Sequence, residues 1–189
     1  MRPVPRLYLV RHPATTIEKP LPPDQWRLSE EGERQLEALL RGSFWSEIQH
    51  VYSSTEPKAA AVAERARSVH GLPFSLHAEL NELRRPDFVA DYPQHVARVF
   101  ARPGEEVGGW ESLESACSRV WAFLVHGTGR GALPAAAVSH GIVLSAVRAR
   151  LLGAATCDLE DWRRLPFAGV AEVDTDSWQL TQDFRPPLP

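Results

Sequence analysis

Three short polar clusters carry residue types able to hold or transfer a charged group: Arg11-His12, Ser53-Ser54 and Ser139-His140-Gly141. The first and third each follow a run of apolar residues, Leu7-Tyr8-Leu9-Val10 and Ala135-Ala136-Ala137-Val138, as expected of strands covered on both faces. In an open α/β sheet, ligands sit beyond the carboxyl ends of such strands. The third cluster also opens a helix, whose N-terminal dipole favours an anion. Two histidines and an arginine converging there make a poor metal site, because no carboxylate or third histidine has suitable spacing. They make a good phosphate site. Taken singly, each cluster has a plainer reading: Arg11 in a surface ion pair, His12 as a satisfied core histidine, His140 beside a helix cap. The pairing of the two clusters favours the anion site.

The elements that must position these clusters follow from the pattern around them. The strand Arg6–Val10 runs into a polar, proline-rich loop from Pro13 to about Trp26. Ser29 offers a helix cap, Glu30 and Glu31 suit the first turn, Leu36, Leu39 and Leu40 supply an apolar face, and Gly42 a stop. Val51-Tyr52 reads as a second short strand ending at Ser53-Ser54. Pro57 to His70 is an alanine-rich helix closed by Gly71. Pro73 to Leu80 reads weakly as a strand, and a helix is expected near Val89–Ala101. Leu113, Cys117, Val120 and Leu124 recur at helical spacing and predict a helix over Glu111–His126, followed by a turn at Gly127-Thr128-Gly129-Arg130-Gly131. Ile142–Leu152 is the next helix. Gly169–Val173 and Trp178–Leu180 predict a hairpin around Asp174-Thr175-Asp176-Ser177, with a mobile tail from Arg185 to Pro189. Alternating strands and helices predict an α/β class chain: a three-layer α/β/α sandwich around a mostly parallel mixed sheet.

The chain has 189 residues, 43% hydrophobic and 24% charged, and a net charge of -3. That length allows one domain, and the charge argues against a nucleic-acid binder acting by bulk electrostatics. The apolar run Leu7–Val10 is too short for a signal segment or a membrane span, so no membrane association and a cytoplasmic location are the default expectations. Cys117 and Cys157 show no paired spacing, and Cys117 lies on a helical stripe as a small buried hydrophobe.

Several blocks together resemble the histidine phosphatase (phosphoglycerate-mutase-like) superfamily. Leu7-Tyr8-Leu9-Val10-Arg11-His12-Pro13-Ala14-Thr15 is similar to its RHG-x-T signature, and Leu28-Ser29-Glu30-Glu31-Gly32 to its L-[ST]-x-x-G. Ser53-Ser54 with Lys58-Ala59 stands where the family has S-S-x-x-x-R-A. Leu80-Asn81-Glu82 resembles L-x-E, Glu111-Ser112 resembles G-E-S, and Ser139-His140-Gly141 resembles S-H-G. The blocks occur in family order from about residue 6 to residue 173.

The resemblance implies a phosphoglycerate-mutase-like fold in a single domain over residues 1–189, with residues 83–110 as a small cap. It implies that His12 attacks the phosphoryl group and is transiently phosphorylated. Arg11, Lys58 and His140 would surround the equatorial oxygens, with Thr15 and Gly141 also in the substrate site. Glu82 would protonate the leaving oxygen and then activate water; Glu79, on the same short segment, is the alternative acid. No metal or other cofactor is implied, and the partner is a small phosphorylated substrate. A phosphatase is favoured over a phosphoglycerate-type mutase because the mutases are longer chains.

Two positions depart from the family pattern. Pro13 stands where glycine is usual, which removes a backbone N–H and biases His12 toward extended geometry. Lys58 stands where arginine is usual, which keeps charge but loses the planar fork. Lys58 also has the reading of a solvated helix-surface lysine. These departures leave open a catalytically impaired phospholigand-binding protein. Residues 83–110 carry Arg84, Arg85, Phe88, Tyr92, His95, Arg98, Arg102 and Trp110, which could cover a small anionic or aromatic phosphomonoester or could form a solvated helix. His50, His70, His77, His95 and His126 read as surface or helix-end residues.

Overall fold

The computed structural model describes residues 6–85, 88–128 and 133–187. At its centre β1 (Arg6–Arg11) lies parallel to β4 (Ala135–Ser139), with Leu7 opposite Ala135 and Arg11 opposite Ser139. β2 (His50–Ser53) pairs in parallel with the other edge of β4, and β3 (Phe74–Leu76) continues in parallel beyond it. β5 (Val170–Asp174) runs antiparallel to β1, and β6 (Gln179–Arg185) antiparallel to β5. The order is β3-β2-β4-β1-β5-β6. The mixed sheet thus has a parallel part of four strands, β3, β2, β4 and β1, whose carboxyl ends converge on one edge.

The period of two along a strand sends alternate side chains to opposite faces, and both faces are covered. Tyr8 and Val10 of β1, with Ala136 and Val138 of β4, pack against α1 (Glu30–Leu40) and α2 (Pro57–His70). Leu7, Leu9, Ala135 and Ala137 face the opposite layer, built from α3 (Tyr92–Ala101), α4 (Leu113–His126) and α5 (Gly141–Leu151). The result is the expected three-layer α/β/α sandwich. Its central strands read as unbroken apolar runs because neither face meets water.

Local chemistry sets the helix ends. The Ser29 hydroxyl accepts from the Gly32 N–H at 3.0 Å at the start of α1, and Pro57 occupies the first turn of α2, where a missing N–H costs nothing. Gly71 closes α2 at φ 70°, a left-handed conformation that a side chain would resist.

Some elements differ from the sequence expectation. The Pro73–Leu80 stretch divides into β3 and a 3-10 turn at Ala78–Leu80. α3 starts at Tyr92 because the Asp91 carboxylate caps the Gln94 N–H. Ser112 caps α4 and leaves Glu111 outside the helix. β6 extends through Arg185, which pairs with Val170 where a mobile tail was expected. A short helix, α6 (Leu159–Arg164), capped by Asp158, was not anticipated; six residues are too few for a periodic signal. Cys117 and Cys157 are both half-buried, so Cys117 is less enclosed than its stripe suggested. Pro86-Asp87, Gly129-Arg130-Gly131 of the expected turn and Leu188-Pro189 of the tail lie outside the described residues. Among the described residues no helix is long and apolar enough to cross a membrane.

Candidate active site

β1, β4 and β2 deliver Arg11-His12, Ser139-His140-Gly141 and Ser53-Ser54 to the same sheet edge. The His12 N–H donates to the Ser139 carbonyl at 3.0 Å and the Ser54 N–H to Val138 at 3.0 Å, so the three strand ends are laced together. A cavity of about 240 Å³ opens there, lined by Arg11, His12, Thr15, Lys58, Glu82 and Gly141. These are six of the seven residues singled out from the sequence. The seventh, His140, is fully buried with its ring centroid 5.1 Å from that of His12; among the described residues it is not part of the cavity wall.

His12 has a defined proton arrangement. Its Nδ1 lies 2.7 Å from the Pro13 carbonyl oxygen, and a carbonyl can only accept, so Nδ1 carries the proton. Burial, followed by the charges of His140, Lys58 and Arg11, holds the ring well below the usual imidazole range. A neutral ring protonated at Nδ1 leaves its lone pair on Nε2. Pro13, which donates no N–H of its own, therefore orients the histidine through its carbonyl.

Arg11 donates to the Leu165 carbonyl and lies 3.9 Å over the Phe167 ring. Burial pulls it down to about 10, against the raising influence of Glu82 and Tyr92. Gly141 makes room for it: a Cβ there would come within 2.8 Å of the Arg11 Cζ. The loop carrying Thr15 is clamped by α1, since the Ala14 carbonyl accepts from the Ser29 N–H at 3.1 Å and the Ala14 N–H donates to Gln35 at 2.8 Å. Gly32 permits that clamp, because a Cβ would overlap the Ala14 oxygen at 2.0 Å.

The acid candidates separate clearly. Glu79 is exposed, whereas Glu82 is 4% exposed and lines the cavity. Its carboxylate accepts from the Ile142 N–H at 2.8 Å and the Val143 N–H at 2.9 Å, the free donors at the start of α5. Burial raises its titration, and the opposing pull of Arg85 and those N–H groups does not reverse this. The polypeptide around it is held by two side chains. Ser139 Oγ donates to the Leu80 carbonyl at 2.7 Å, and Arg119 donates to the carbonyls of Asn81 and Glu82 at 3.0 and 3.1 Å. Glu111, buried and paired with Arg119 at 2.8 Å, anchors that arginine. Ser112 is the cap of α4, so the Glu111-Ser112 block supports the site from behind.

Lys58 is not a surface lysine: it is 3% exposed. Its ammonium donates to the Glu56 carboxylate and, at 2.8 Å, to the Pro23 carbonyl. Burial lowers its titration and the charge of Glu56 opposes that.

Glu56 is a site residue the sequence reading missed. It is buried, accepts from the Glu82 N–H at 2.8 Å, and lies 3.5 Å from Arg85 Nη2 and 3.6 Å from His140 Nε2. The available signal was an acid directly before Pro57 and two residues before Lys58. His140 Nε2 also lies 2.7 Å from Ser54 Oγ, which donates its proton to Asn81 Oδ1 at 2.7 Å. Ser54 thus links the S-S block to both the S-H-G and L-x-E blocks.

Residues 83–110 divide between the two readings offered for them. Arg85 and Tyr92 line the cavity, Trp110 is buried beneath them, and Arg84, Arg98 and Arg102 are exposed. His95 is buried, not a surface residue, with its ring 4.3 Å from that of Trp110 and Nε2 2.9 Å from the Val107 carbonyl. Trp26, Trp162, Phe167 and Ile17 complete an aromatic and apolar wall.

The same architecture occurs in solved structures. Bacillus stearothermophilus YhfR superimposes with a TM-score of 0.75 at 19% identity, covering 97% of this chain and 98% of that one. The mycobacterial glucosyl-3-phosphoglycerate phosphatase complexed with VO3 gives 0.74 at 21% identity, covering 97% and 99%. The alpha-ribazole phosphatase from Shigella flexneri gives 0.69 at 21%, covering 96% of each. These likenesses identify the phosphoglycerate-mutase-like fold. No curated protein matches by sequence. The family profile of the histidine phosphatase superfamily (branch 1) matches residues 7–182, and the chain belongs to that superfamily.

Proposed function

We propose that the protein is a phosphatase that hydrolyses a small phosphomonoester through a phosphohistidine formed on His12. The observation that carries this reading is the His12 Nδ1 contact to the Pro13 carbonyl, which leaves the Nε2 lone pair for an electrophile. Nε2 attacks phosphorus as the bond to the leaving oxygen breaks. Glu82, whose raised titration favours the protonated form, gives its proton to that oxygen. Glu82 then takes a proton from the water that attacks phosphohistidine, which releases phosphate and restores His12. Arg11 offsets charge on the equatorial oxygens, with the Lys58 ammonium in the same cavity wall and the His140 ring packed beside His12, so the side chains themselves supply the neutralisation.

The aromatic wall supports a leaving group with an apolar or planar portion. Two structural neighbours are named as phosphatases, of glucosyl-3-phosphoglycerate and of alpha-ribazole, which supports hydrolysis over transfer between hydroxyls. Aryl phosphate turnover in the presence of a chelator, lost in His12→Ala, is the expected result. Turnover that survives this substitution would refute the mechanism. The ties of Lys58 to Glu56 and the Pro23 carbonyl favour one second reading, a phospholigand binder with impaired catalysis. It predicts stabilisation by inorganic phosphate with negligible turnover.

A further inference from the structure

We propose that Arg85 supplies the guanidinium contact to the phosphoryl group that its relatives take from an arginine at the position of Lys58. The inference rests on the phosphatase reading and adds to it a residue that the family motifs do not contain. Lys58 is already engaged, with the Glu56 carboxylate and the Pro23 carbonyl both accepting from its ammonium. Its charge is matched locally, and its three donors have no planar fork to offer two oxygens.

Arg85 is in the opposite condition. Its side chain is 3% exposed and lines the cavity that also holds His12, Arg11 and Glu82. Nη1 donates to the Tyr92 hydroxyl at 3.2 Å, while Nε and Nη2 have no hydrogen-bond partner among the described residues. The Glu56 carboxylate lies 3.5 Å from Nη2, near enough to hold the charge but outside hydrogen-bond geometry for that pair. A buried guanidinium with two unpaired donors on one edge is costly unless an acceptor reaches them. Nε and one Nη form the edge that matches two oxygens of a phosphoryl group. Tyr92 and Trp110, whose ring centre is 5.4 Å from the guanidinium carbon, hold the plane in place. Glu56 connects the two cations: it neutralises Lys58, restrains Arg85 and accepts from the Glu82 N–H. The arginine has in effect moved from α2 to the loop after Glu82, and the lysine left behind has become part of its support.

The test measures orthovanadate affinity by calorimetry and aryl phosphate kinetics on wild type, Arg85→Ala and Arg85→Lys, with and without low millimolar guanidinium ion. Arg85→Lys retains a cation opposite Glu56 and serves as the folded control, with melting temperatures recorded for all three. Expected are a fall in kcat/KM of about 10²–10³-fold in Arg85→Ala, a comparable weakening of orthovanadate, a smaller fall in Arg85→Lys, and partial recovery of Arg85→Ala on adding guanidinium. Recovery by the free ion is a response that simple loss of packing does not produce. Wild-type turnover with unchanged orthovanadate affinity in Arg85→Ala, or an inactive but folded Arg85→Ala with no response to guanidinium, overturns the assignment and leaves the phosphatase reading standing. A wild-type protein that binds orthovanadate through Arg85 without turning over overturns the catalytic reading alone. One that neither binds nor turns over overturns both.

Discussion

Glu56, at the start of α2, and Glu82, in the loop before α3, are buried to nearly the same degree, at 5% and 4% exposed. They touch through the Glu82 N–H and the Glu56 carboxylate. Their titrations nevertheless move in opposite directions. Burial pushes both up, but Lys58 and Arg85 flank Glu56 and bring it below the ordinary carboxylate range. Glu82 has the pull of Arg85 and two helix N–H groups, opposed by the neighbouring charge of Glu56, and burial prevails. The comparison teaches that residue type and depth do not decide a carboxylate's role. The first is held among cations that favour its charged form; the second, in the role proposed for it, would carry a proton that can be given away.

The largest expected effect breaks the proton-carrying side. Glu82→Gln is expected to lower kcat by about 10²–10⁴-fold and to remove the alkaline limb of the pH–rate profile. A pH series on both proteins checks this, and an alkaline limb kept by Glu82→Gln would move the acid role elsewhere. The acid limb should remain, because it follows His12, which must be neutral to attack and is held below the usual imidazole range.

The next effect breaks the fixed-anion side. Glu56→Gln leaves Lys58 and Arg85 buried without their carboxylate, and about 3–5 kcal/mol of stability should be lost, measured by urea unfolding. Adding Lys58→Met to that variant should recover part of the loss, since one of the two unmatched charges is then gone.

A smaller effect sharpens the link between the two carboxylates. Arg119 holds the backbone of Asn81 and Glu82 without lining the cavity. Arg119→Ala should lower kcat roughly ten- to a hundredfold through misplacement of Glu82, with KM changed less. Steady-state kinetics separate the two, and a KM effect alone would deny the positioning role.

The subtlest prediction concerns the pH dependence of folding. Because the folded protein raises the Glu82 pKa, the stability that residue contributes is full below the unfolded value of 4.5 and declines as pH rises through the folded value. Glu56 is lowered, so its contribution is full above 4.5 and is lost as pH falls through its folded value. The differences in unfolding free energy between wild type and Glu82→Gln, and between wild type and Glu56→Gln, should therefore slope oppositely with pH. Parallel slopes would contradict the distinction.

The chemistry at the ends of β1 and β4 was legible because it is local: an apolar strand, then a polar cluster, then a helix start, all within a few consecutive residues. α1 and α2 were equally legible, since Ser29, Pro57 and Gly71 act on their own turns. What could not be read were residues whose meaning depends on a distant partner. Glu56 looks like any acid before a helix until Arg85 and Glu82, more than twenty-five residues on, are folded against it. Lys58 could be a solvated lysine or a buried cation, and the Pro23 carbonyl and Glu56 decide it. Glu111 resembles a motif acid, yet its contacts are with Arg119 and Arg84.

The sequence alone determined the sandwich and its apolar strands and the placing of His12 and His140 at one sheet edge, while the choice of Glu82 over Glu79 came from the resemblance to the superfamily. Periodicity, capping and contiguous motifs encode these through near neighbours. The tertiary structure alone decided which buried charges are paired and which retain open donors. That depends on which groups from separate segments meet out of water, where hydrogen-bond partners and neighbouring charges set the state of each residue.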